Sequence, residues 1–271
     1  MNKLLLLLLS ILISFNSYGD SSDETICVTT DAQYIDGIFY FPNETKPFTG
    51  KNLCKYENGQ KYSEANFKDG KADGKLIWWY ENGQIQEEGN FKDGVEDGKQ
   101  TYWYENGQKM DEENYKDGIL HGKSTYWLEN GQKEEEGNYK NGKADGKYTW
   151  WYENGQKERE TNHKDGEYHG KQTEWYENGQ KWREGNFKDG KSVDYWTEWH
   201  ENGQIMAETN YKDGKFHGKL TSWYENGQQR GEGNYKDDKL HGKFSLWNEN
   251  GQLIFETTYE DGECISVDCF D

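Results

Sequence analysis

A fixed 24-residue period constrains the fold of this chain more than any other feature of its sequence. The tetrapeptide Glu-Asn-Gly-Gln occurs nine times at this interval, opening at Glu57, Glu81, Glu105, Glu129, Glu153, Glu177, Glu201, Glu225 and Glu249. Such a period is typical of repeat proteins, in which each unit packs mainly on its two neighbours. The sequence therefore predicts an array of equivalent units and not one compact domain.

Each unit has the pattern of a β-hairpin. A β-prone run, such as residues 76–81, leads into Asn-Gly, which predicts a two-residue type I′ turn with Trp79 opposite Gln86. A second strand follows, as in residues 84–91, and a longer turn containing Lys-Asp-Gly leads to the next unit. The predicted fold is all-β: an elongated, single-layer antiparallel β-meander of about nine hairpins, roughly 85 Å long at 4.8 Å per strand.

Two-residue alternation assigns the side chains to two faces. One face carries a glutamate column from Glu64 to Glu256, and also the tryptophans Trp79, Trp103, Trp127, Trp151, Trp175, Trp199, Trp223 and Trp247. The other face carries tyrosines next to the Asn-Gly turns and second-strand aromatics such as Phe91. The structure should therefore have two chemically different surfaces.

The second face holds an extra aromatic row in the first half of the array only. This row, together with the neighbouring tyrosines, consists of Trp78, Tyr102, Tyr126, Trp150, Tyr80, Tyr104 and Tyr152. In later copies the row changes to Glu174, Glu198, Ser222 and Leu246. An aromatic strip edged by charge is typical of a contact surface, so these seven residues are the predicted partner-binding site. The other interpretation is that the rings pack on one another to hold a thin sheet.

The ends of the chain differ from the repeats and define the domain layout. Residues 1–19 contain one lysine, an apolar stretch, and the small residues Ser17 and Gly19, which is the pattern of a cleaved signal peptide. We expect an N-terminal cap with a degenerate repeat over 20–50, the array over 51–262, and a C-terminal cap over 263–271. The protein is then exported to the periplasm, the cell surface or the medium, and touches the membrane only through its leader.

All four cysteines lie near the ends: Cys27, Cys54, Cys264 and Cys269. In an exported protein such cysteines are expected to form disulfides. The Cα atoms of a disulfide must approach within about 7 Å, and the two ends of a long ribbon lie much farther apart. The pairs Cys27–Cys54 and Cys264–Cys269 are therefore predicted, each holding an end that lacks one neighbour.

Charge and the repeated columns exclude several functions. The formal net charge of −19 opposes nucleic acid and anionic lipid as partners. Equivalent histidines in neighbouring copies, such as His217 and His241, should lie about 10 Å apart, too far to share a zinc ion. Nine equivalent glutamates mark no single active site, so neither catalysis, a metal nor a cofactor is predicted. The expected partner is an unidentified protein, and the oligomeric state is open.

The glycines and aromatics that link neighbouring units resemble a known family. Gly89, Phe91, Gly94 and Gly98 give the pattern Gly-x-Tyr/Phe-x-x-Gly-x-x-x-Gly. This pattern resembles the MORN repeat, and more closely the bacterial MORN-repeat-variant proteins, from Pro47 to about Gly262, although the closing Gly-x-Gly is absent. The resemblance implies a non-catalytic sheet for protein contact, scaffolding or membrane association, and some variants are antitoxin-like. Carbohydrate or cell-wall binding is the alternative indicated by the Trp-Tyr-x-Asn-Gly units.

Overall fold

The computed structural model describes residues 25–266 and Cys269, so the predicted signal peptide lies outside the described residues. The N-terminal cap contains β1 (Thr25–Ile26), α1 (Val28–Asp31), β2 (Gln33–Ile35) and β3 (Ile38–Tyr40). The strands that follow are β4 (Gly50–Lys55), β5 (Lys61–Lys68), β6 (Lys71–Trp79), β7 (Ile85–Lys92), β8 (Val95–Trp103), β9 (Lys109–Lys116), β10 (Ile119–Leu120), β11 (Gly122–Trp127), β12 (Lys133–Lys140), β13 (Lys143–Ala144), β14 (Gly146–Trp151), β15 (Lys157–Lys164), β16 (Glu167–Tyr168), β17 (Gly170–Trp175), β18 (Lys181–Lys188), β19 (Lys191–Trp199), β20 (Ile205–Lys212), β21 (Lys215–Trp223), β22 (Gln229–Lys236), β23 (Lys239–Trp247), β24 (Leu253–Glu260) and β25 (Glu263–Cys264). In this part of the chain, no helix is long and apolar enough to cross a membrane.

The array is one open antiparallel meander. From β4 onward each strand pairs with the next, as β4 with β5, β5 with β6 and β6 with β7. The segments β10 and β11, β13 and β14, and β16 and β17 are each one strand that is briefly interrupted. At the N-terminal edge β1 pairs in parallel with β4, and at the other end β25 pairs with β24. The predicted all-β meander of hairpins is confirmed.

The Asn-Gly segment forms a longer loop than the predicted type I′ turn. In the second hairpin the N–H of Gly83 donates to the carbonyl of Tyr80 (2.9 Å), and the N–H of Tyr80 donates to the carbonyl of Gln84 (2.8 Å). Gly83 has a φ of 86°, whereas Asn82 keeps a negative φ and accepts a hydrogen bond from the N–H of Gln84. This is a type I turn followed by a bulged glycine. The predicted turn type is therefore wrong.

The bulge changes the register only beside the loop. Trp79 lies opposite Ile85 and not opposite Gln86, which corrects the predicted pairing. Trp78 lies opposite Glu87, and from this pair to the far end of the hairpin the strand pairing is the predicted one. The assignment of side chains to the two faces is consequently preserved.

The tight two-residue turn lies at Asp-Gly instead. Asp69 and Gly70 have φ values of 49° and 78°, the two positive values of a type I′ turn, and Lys68 lies opposite Lys71. The longer turn predicted here is wrong, because the extra residues form a bulge at Gly74, whose φ is 104°. Asp tolerates this left-handed conformation better than most residues. The aspartates that recur at this position, such as Asp93 and Asp117, are thus explained by turn geometry.

A small apolar core and two disulfides hold the ends. Val28, Phe48, Ala65 and Phe67 form a buried cluster between the N-terminal cap and the first hairpin. The bond Cys27–Cys54 joins the cap to β4, with Cα atoms 4.6 Å apart, and Cys264–Cys269 joins Cα atoms 5.9 Å apart. Both predicted disulfides are confirmed.

Candidate functional site

On the face that carries the tryptophans, which we call the tryptophan face, lysines and glutamates form ion pairs that recur from copy to copy. A carboxylate oxygen of Glu112 lies 2.7 Å from Nζ of Lys99 and 2.6 Å from Nζ of Lys109, and Lys109 also lies 5.5 Å from the ring centre of Trp127. Partial burial acts to raise the pKa of Glu112, but hydrogen bonds and attraction from the two lysines outweigh it and lower that pKa. The same arrangement recurs at Glu136, Glu160 and Glu184. This glutamate column therefore stabilises the sheet.

Three of the predicted partner-binding residues, Tyr80, Tyr104 and Tyr152, form hydrogen bonds that join the Asn-Gly loop of one repeat to the main chain of the next repeat. The hydroxyl of Tyr80 donates to the carbonyl of Trp103 (2.7 Å), and Tyr104 and Tyr152 make the equivalent bond one copy further along each time. Each such bond stabilises by about 1 kcal/mol. Leu128, which has no hydroxyl, stands at the equivalent position of the fourth copy. The hydroxyls of these tyrosines are thus hydrogen-bonded within the sheet, and only the rings are available to contact a partner.

The other four predicted residues share a row with three carboxylates. Strand pairing sets Glu87 between Trp78 and Tyr102, and it sets Asp111 between Tyr102 and Tyr126. Glu135 lies between Tyr126 and Trp150 in the same way. We name this row of Trp78, Glu87, Tyr102, Asp111, Tyr126, Glu135 and Trp150 the acid–aromatic strip. Sequence reasoning found its aromatics but missed its acids, although the hairpin register would have aligned them.

Within the described residues, no lysine or arginine pairs with Glu87 or Asp111 of the strip, and the fold favours the neutral form of both acids. Burial raises the pKa of Asp111 to about 7, and repulsion from Glu113 and Glu87 adds to the shift. Burial, followed by repulsion from Glu96, raises the pKa of Glu87. Oδ1 of Asp111 is inaccessible and has no hydrogen-bond partner within the described residues. On the tryptophan face the pKa values of Glu112, Glu136, Glu160 and Glu184 are lowered instead, because two lysines contact each of these glutamates.

Hydrogen bonds from aromatic side chains hold two carboxylates in place, Glu113 beside the strip and Glu135 within it. Glu113, on the adjacent row, accepts from the hydroxyl of Tyr115 (2.7 Å) and from that of Tyr126. Glu135 accepts from the hydroxyl of Tyr148 and from Nε1 of Trp150 (3.1 Å). These bonds orient the carboxylates but supply no positive charge.

Beyond Trp150 the same row changes chemistry. The guanidinium of Arg159 stacks 4.0 Å from the ring centre of Trp150, and Nε of Arg183 lies 3.3 Å from Oε1 of Glu198. Farther along, the row consists of uncharged residues: Ala207, Ser222, Gly231, Leu246 and Phe255. Uncompensated charge on this row is therefore confined to the first half of the array.

Comparison with known families accounts for the whole array. Nine segments match the MORN repeat variant, at residues 48–69, 72–93, 96–117, 120–141, 144–165, 168–189, 195–213, 216–237 and 240–261. The chain belongs to the MORN repeat variant family. MORN repeats commonly contact proteins or membranes and are generally non-catalytic scaffolds. No curated protein matches the chain.

The seventh MORN match is the short one, and it begins after an irregular bulge. Asp194 takes the left-handed conformation (φ 59°) where most other MORN copies have a glycine such as Gly218. Tyr195 stands where other copies have the lysine that pairs with the glutamate of the next strand. Its hydroxyl donates to Oε2 of Glu208 (2.8 Å). The strand β19 nevertheless continues through the irregularity. The change is thus accommodated within the MORN fold.

The row next to the strip has a double period that sequence reasoning missed. The buried Tyr148 and Trp196 lie against Gly137 and Gly185, where a Cβ atom would overlap their rings. In the intervening MORN copies the glycine position holds Glu113 or a threonine, as in Thr209 opposite Leu220. The signal was visible in the sequence as glycines every second unit: Gly89, Gly137, Gly185 and Gly233. From Gly137 onward, large side chains therefore alternate with small ones along this row of the MORN array.

The histidine column connects neighbouring turns. Nδ1 of His169 lies 3.3 Å from Oδ1 of Asp189, and His217 and His241 have equivalent aspartate neighbours at 3.5 Å. Among residues 25–266 and Cys269, no three His, Cys, Asp or Glu side chains are grouped as metal ligands. These contacts account for the histidines as turn residues.

Proposed function

We propose that the chain is an exported, non-catalytic scaffold that binds a protein partner on the acid–aromatic strip. The observation that carries the proposal is the contrast between its faces: lysines pair the glutamates of one face, whereas Glu87 and Asp111 lie without such partners among aromatic rings. Aromatic rings and carboxylates both attract Lys and Arg side chains. The partner segment is therefore cationic.

Export is supported by the two disulfides, which persist in oxidising compartments, and by the leader pattern of residues 1–19. Cleavage after Gly19 is expected to leave Asp20 as the first residue. N-terminal sequencing of the protein from the native envelope fraction checks this, and material that begins at Met1 would count against export through a cleaved leader.

The partner is to be captured from that fraction with the wild-type protein and then purified. Trp78→Ser/Trp150→Ser removes the two indole anchors, and Ser222 shows that the repeat accepts serine in this row. Loss of such anchors should weaken binding by about 2 kcal/mol or more, roughly 30-fold in Kd. The matched control is Leu246→Ser, in the same row but outside the strip, which should bind as wild type.

A second double variant, Glu87→Gln/Asp111→Asn, tests whether the carboxylates of the strip contribute to binding. This variant should weaken a cationic partner and reduce the salt dependence of binding, because the removed charges contribute electrostatic attraction. Unchanged affinity in both double variants, with intact circular dichroism, would refute the strip as the site. Selective binding on a glycan array that the tryptophan double variant abolishes would instead assign the strip to carbohydrate.

A further inference from the structure

Nine Asn-Gly pairs lie in exposed loops and share one local sequence, Glu-Asn-Gly-Gln. An asparagine followed by glycine can lose its side-chain amide without an enzyme, because glycine has no Cβ to hinder its own main-chain nitrogen. That nitrogen attacks Cγ of the asparagine, and the side-chain nitrogen leaves as ammonia with the displaced proton. One water molecule then opens the succinimide ring to give aspartate or isoaspartate. Since the local sequence is the same, a difference in rate between the nine sites must come from the fold.

In most copies two hydrogen bonds hold the asparagine side chain in place. In the second copy, Oδ1 of Asn82 accepts from the main-chain N–H of Gln84 (2.9 Å), and Nδ2 donates to the carbonyl of Glu105 in the next copy (3.0 Å). Ring formation turns this side chain toward the nitrogen of Gly83, so both bonds oppose the reaction. The same pair of bonds occurs at Asn58, Asn106, Asn154, Asn178, Asn202 and Asn226.

The loop of the fourth copy lacks one of these bonds. Oδ1 of Asn130 still accepts from the N–H of Gln132 (2.9 Å), but Nδ2 donates to the side-chain Oε1 of Gln132 (3.2 Å) and not to the carbonyl of Glu153. Leu128 stands here in place of the tyrosine whose hydroxyl joins the loop to the next copy. A glutamine side chain has much rotational freedom, so this bond restrains Asn130 less than a main-chain carbonyl would.

The loop of the last copy lacks both bonds. Asn248 stands at the tyrosine position, and its Oδ1 accepts the N–H of Gln252 (3.0 Å), which in the other copies binds the asparagine of the Asn-Gly pair. Among the described residues the sheet continues only as the short β25, so no carbonyl of a following Asn-Gly loop lies beside Asn250. The N–H of Gly251 donates to the carbonyl of Asn248 (2.9 Å), as the equivalent glycine does in all nine loops. The loops therefore differ in what holds the asparagine side chain and not in how the glycine nitrogen is bonded.

We propose that Asn250 and Asn130 are sites of spontaneous deamidation, with water as the co-reactant, and that the fold protects the other seven Asn-Gly pairs. Loss of one such hydrogen bond changes a rate about fivefold, so Asn130 should react about five times faster than the protected sites and Asn250 about 30 times faster. Each reaction adds a negative charge, and at Asn130 this charge lies in the loop that joins the strands of Tyr126 and Glu135. The inference does not depend on the proposed function.

The test is peptide mapping by mass spectrometry of the purified full chain during incubation in mildly alkaline buffer. The reduced chain in urea is the reference, and there the nine sites should react at nearly equal rates. Leu128→Tyr should slow Asn130 about fivefold, because it joins that loop to the next copy, and should leave Asn250 unchanged. Asn248→Tyr should slow Asn250 about fivefold, because it returns the N–H of Gln252 to Asn250, and should leave Asn130 unchanged. Each variant is thus the matched control for the other.

Two results would overturn the inference. One is that Asn250 and Asn130 in the folded chain react no faster than the other seven sites, whether all of them react or none does. The other is an order of rates that persists in urea, since it would then come from the local sequence and not from the fold. Either result would leave partner capture by the strip untouched.

Discussion

Gly185→Ala should destabilise the protein far more than its single added methyl group suggests. A Cβ atom at Gly185 would fall inside the contact distance of three ring atoms of Trp196, which is 1% exposed. The indole cannot move aside, because Phe187 packs against its edge at 5.1 Å between centres and the guanidinium of Arg183 lies 4.3 Å from it. Overpacking of this kind costs about 1–3 kcal/mol.

A second substitution should relieve the overlap. Trp196→Leu alone leaves a void and costs about 2 kcal/mol or more, whereas Gly185→Ala/Trp196→Leu resembles the natural pair of Thr209 and Leu220. The added methyl then occupies part of the void, so the double variant should be more stable than the sum of the single effects by at least about 1 kcal/mol.

The control is Gly231→Ala on the same face. There the nearest atoms are the ends of Leu246 and Ser222, at 3.1 and 3.2 Å, and these side chains can shift. Urea unfolding followed by far-ultraviolet circular dichroism gives the comparison, and each kcal/mol should also move the thermal midpoint by about 2–4 °C. A wild-type midpoint for Gly185→Ala, or strictly additive single effects, would refute the volume-pairing argument.

Three other outcomes are expected. Leu128→Tyr should be about 1 kcal/mol more stable than Leu128→Phe in thermal unfolding, because only the tyrosine hydroxyl can donate to the carbonyl of Trp151; equal stability would contradict the loop-to-loop hydrogen bond. Asp194→Gly should stabilise by about 1 kcal/mol in the same assay, since glycine adopts positive φ without strain, and a loss of stability would refute this. Raising the pH from about 4 through 7 should reduce wild-type stability relative to Asp111→Asn, because the folded state favours the neutral acid up to its pKa of about 7; a difference that is constant with pH would show that Asp111 titrates normally.

The two turns show where local sequence reasoning fails. Asn82-Gly83 and Asp69-Gly70 carry nearly the same turn signal, and the sequence interpretation gave the type I′ turn to the wrong one. The Asn-Gly loop is stabilised by a contact that no hairpin contains alone, the hydroxyl of Tyr80 on the carbonyl of the next copy. Neighbouring copies thus favour the longer loop.

The period and the two-residue alternation by themselves determined the meander, the division into two faces, and the aromatic half of the strip. The positions of the cysteines likewise determined both disulfides, because a ribbon keeps its ends apart. These features follow from spacing along the chain, which a repeat translates directly into spacing along the sheet.

Only the tertiary structure decided which carboxylates have lysine partners and which have none. Glu112 and Asp111 are adjacent in sequence, yet one faces two lysines and the other faces Tyr102 and Tyr126. The hydrogen bonds of the Asn-Gly loops likewise depend on which group the next copy presents, as at Asn130. Charge compensation and loop bonding depend on which groups meet across strands and between elements, and these distances are fixed only when the chain has packed.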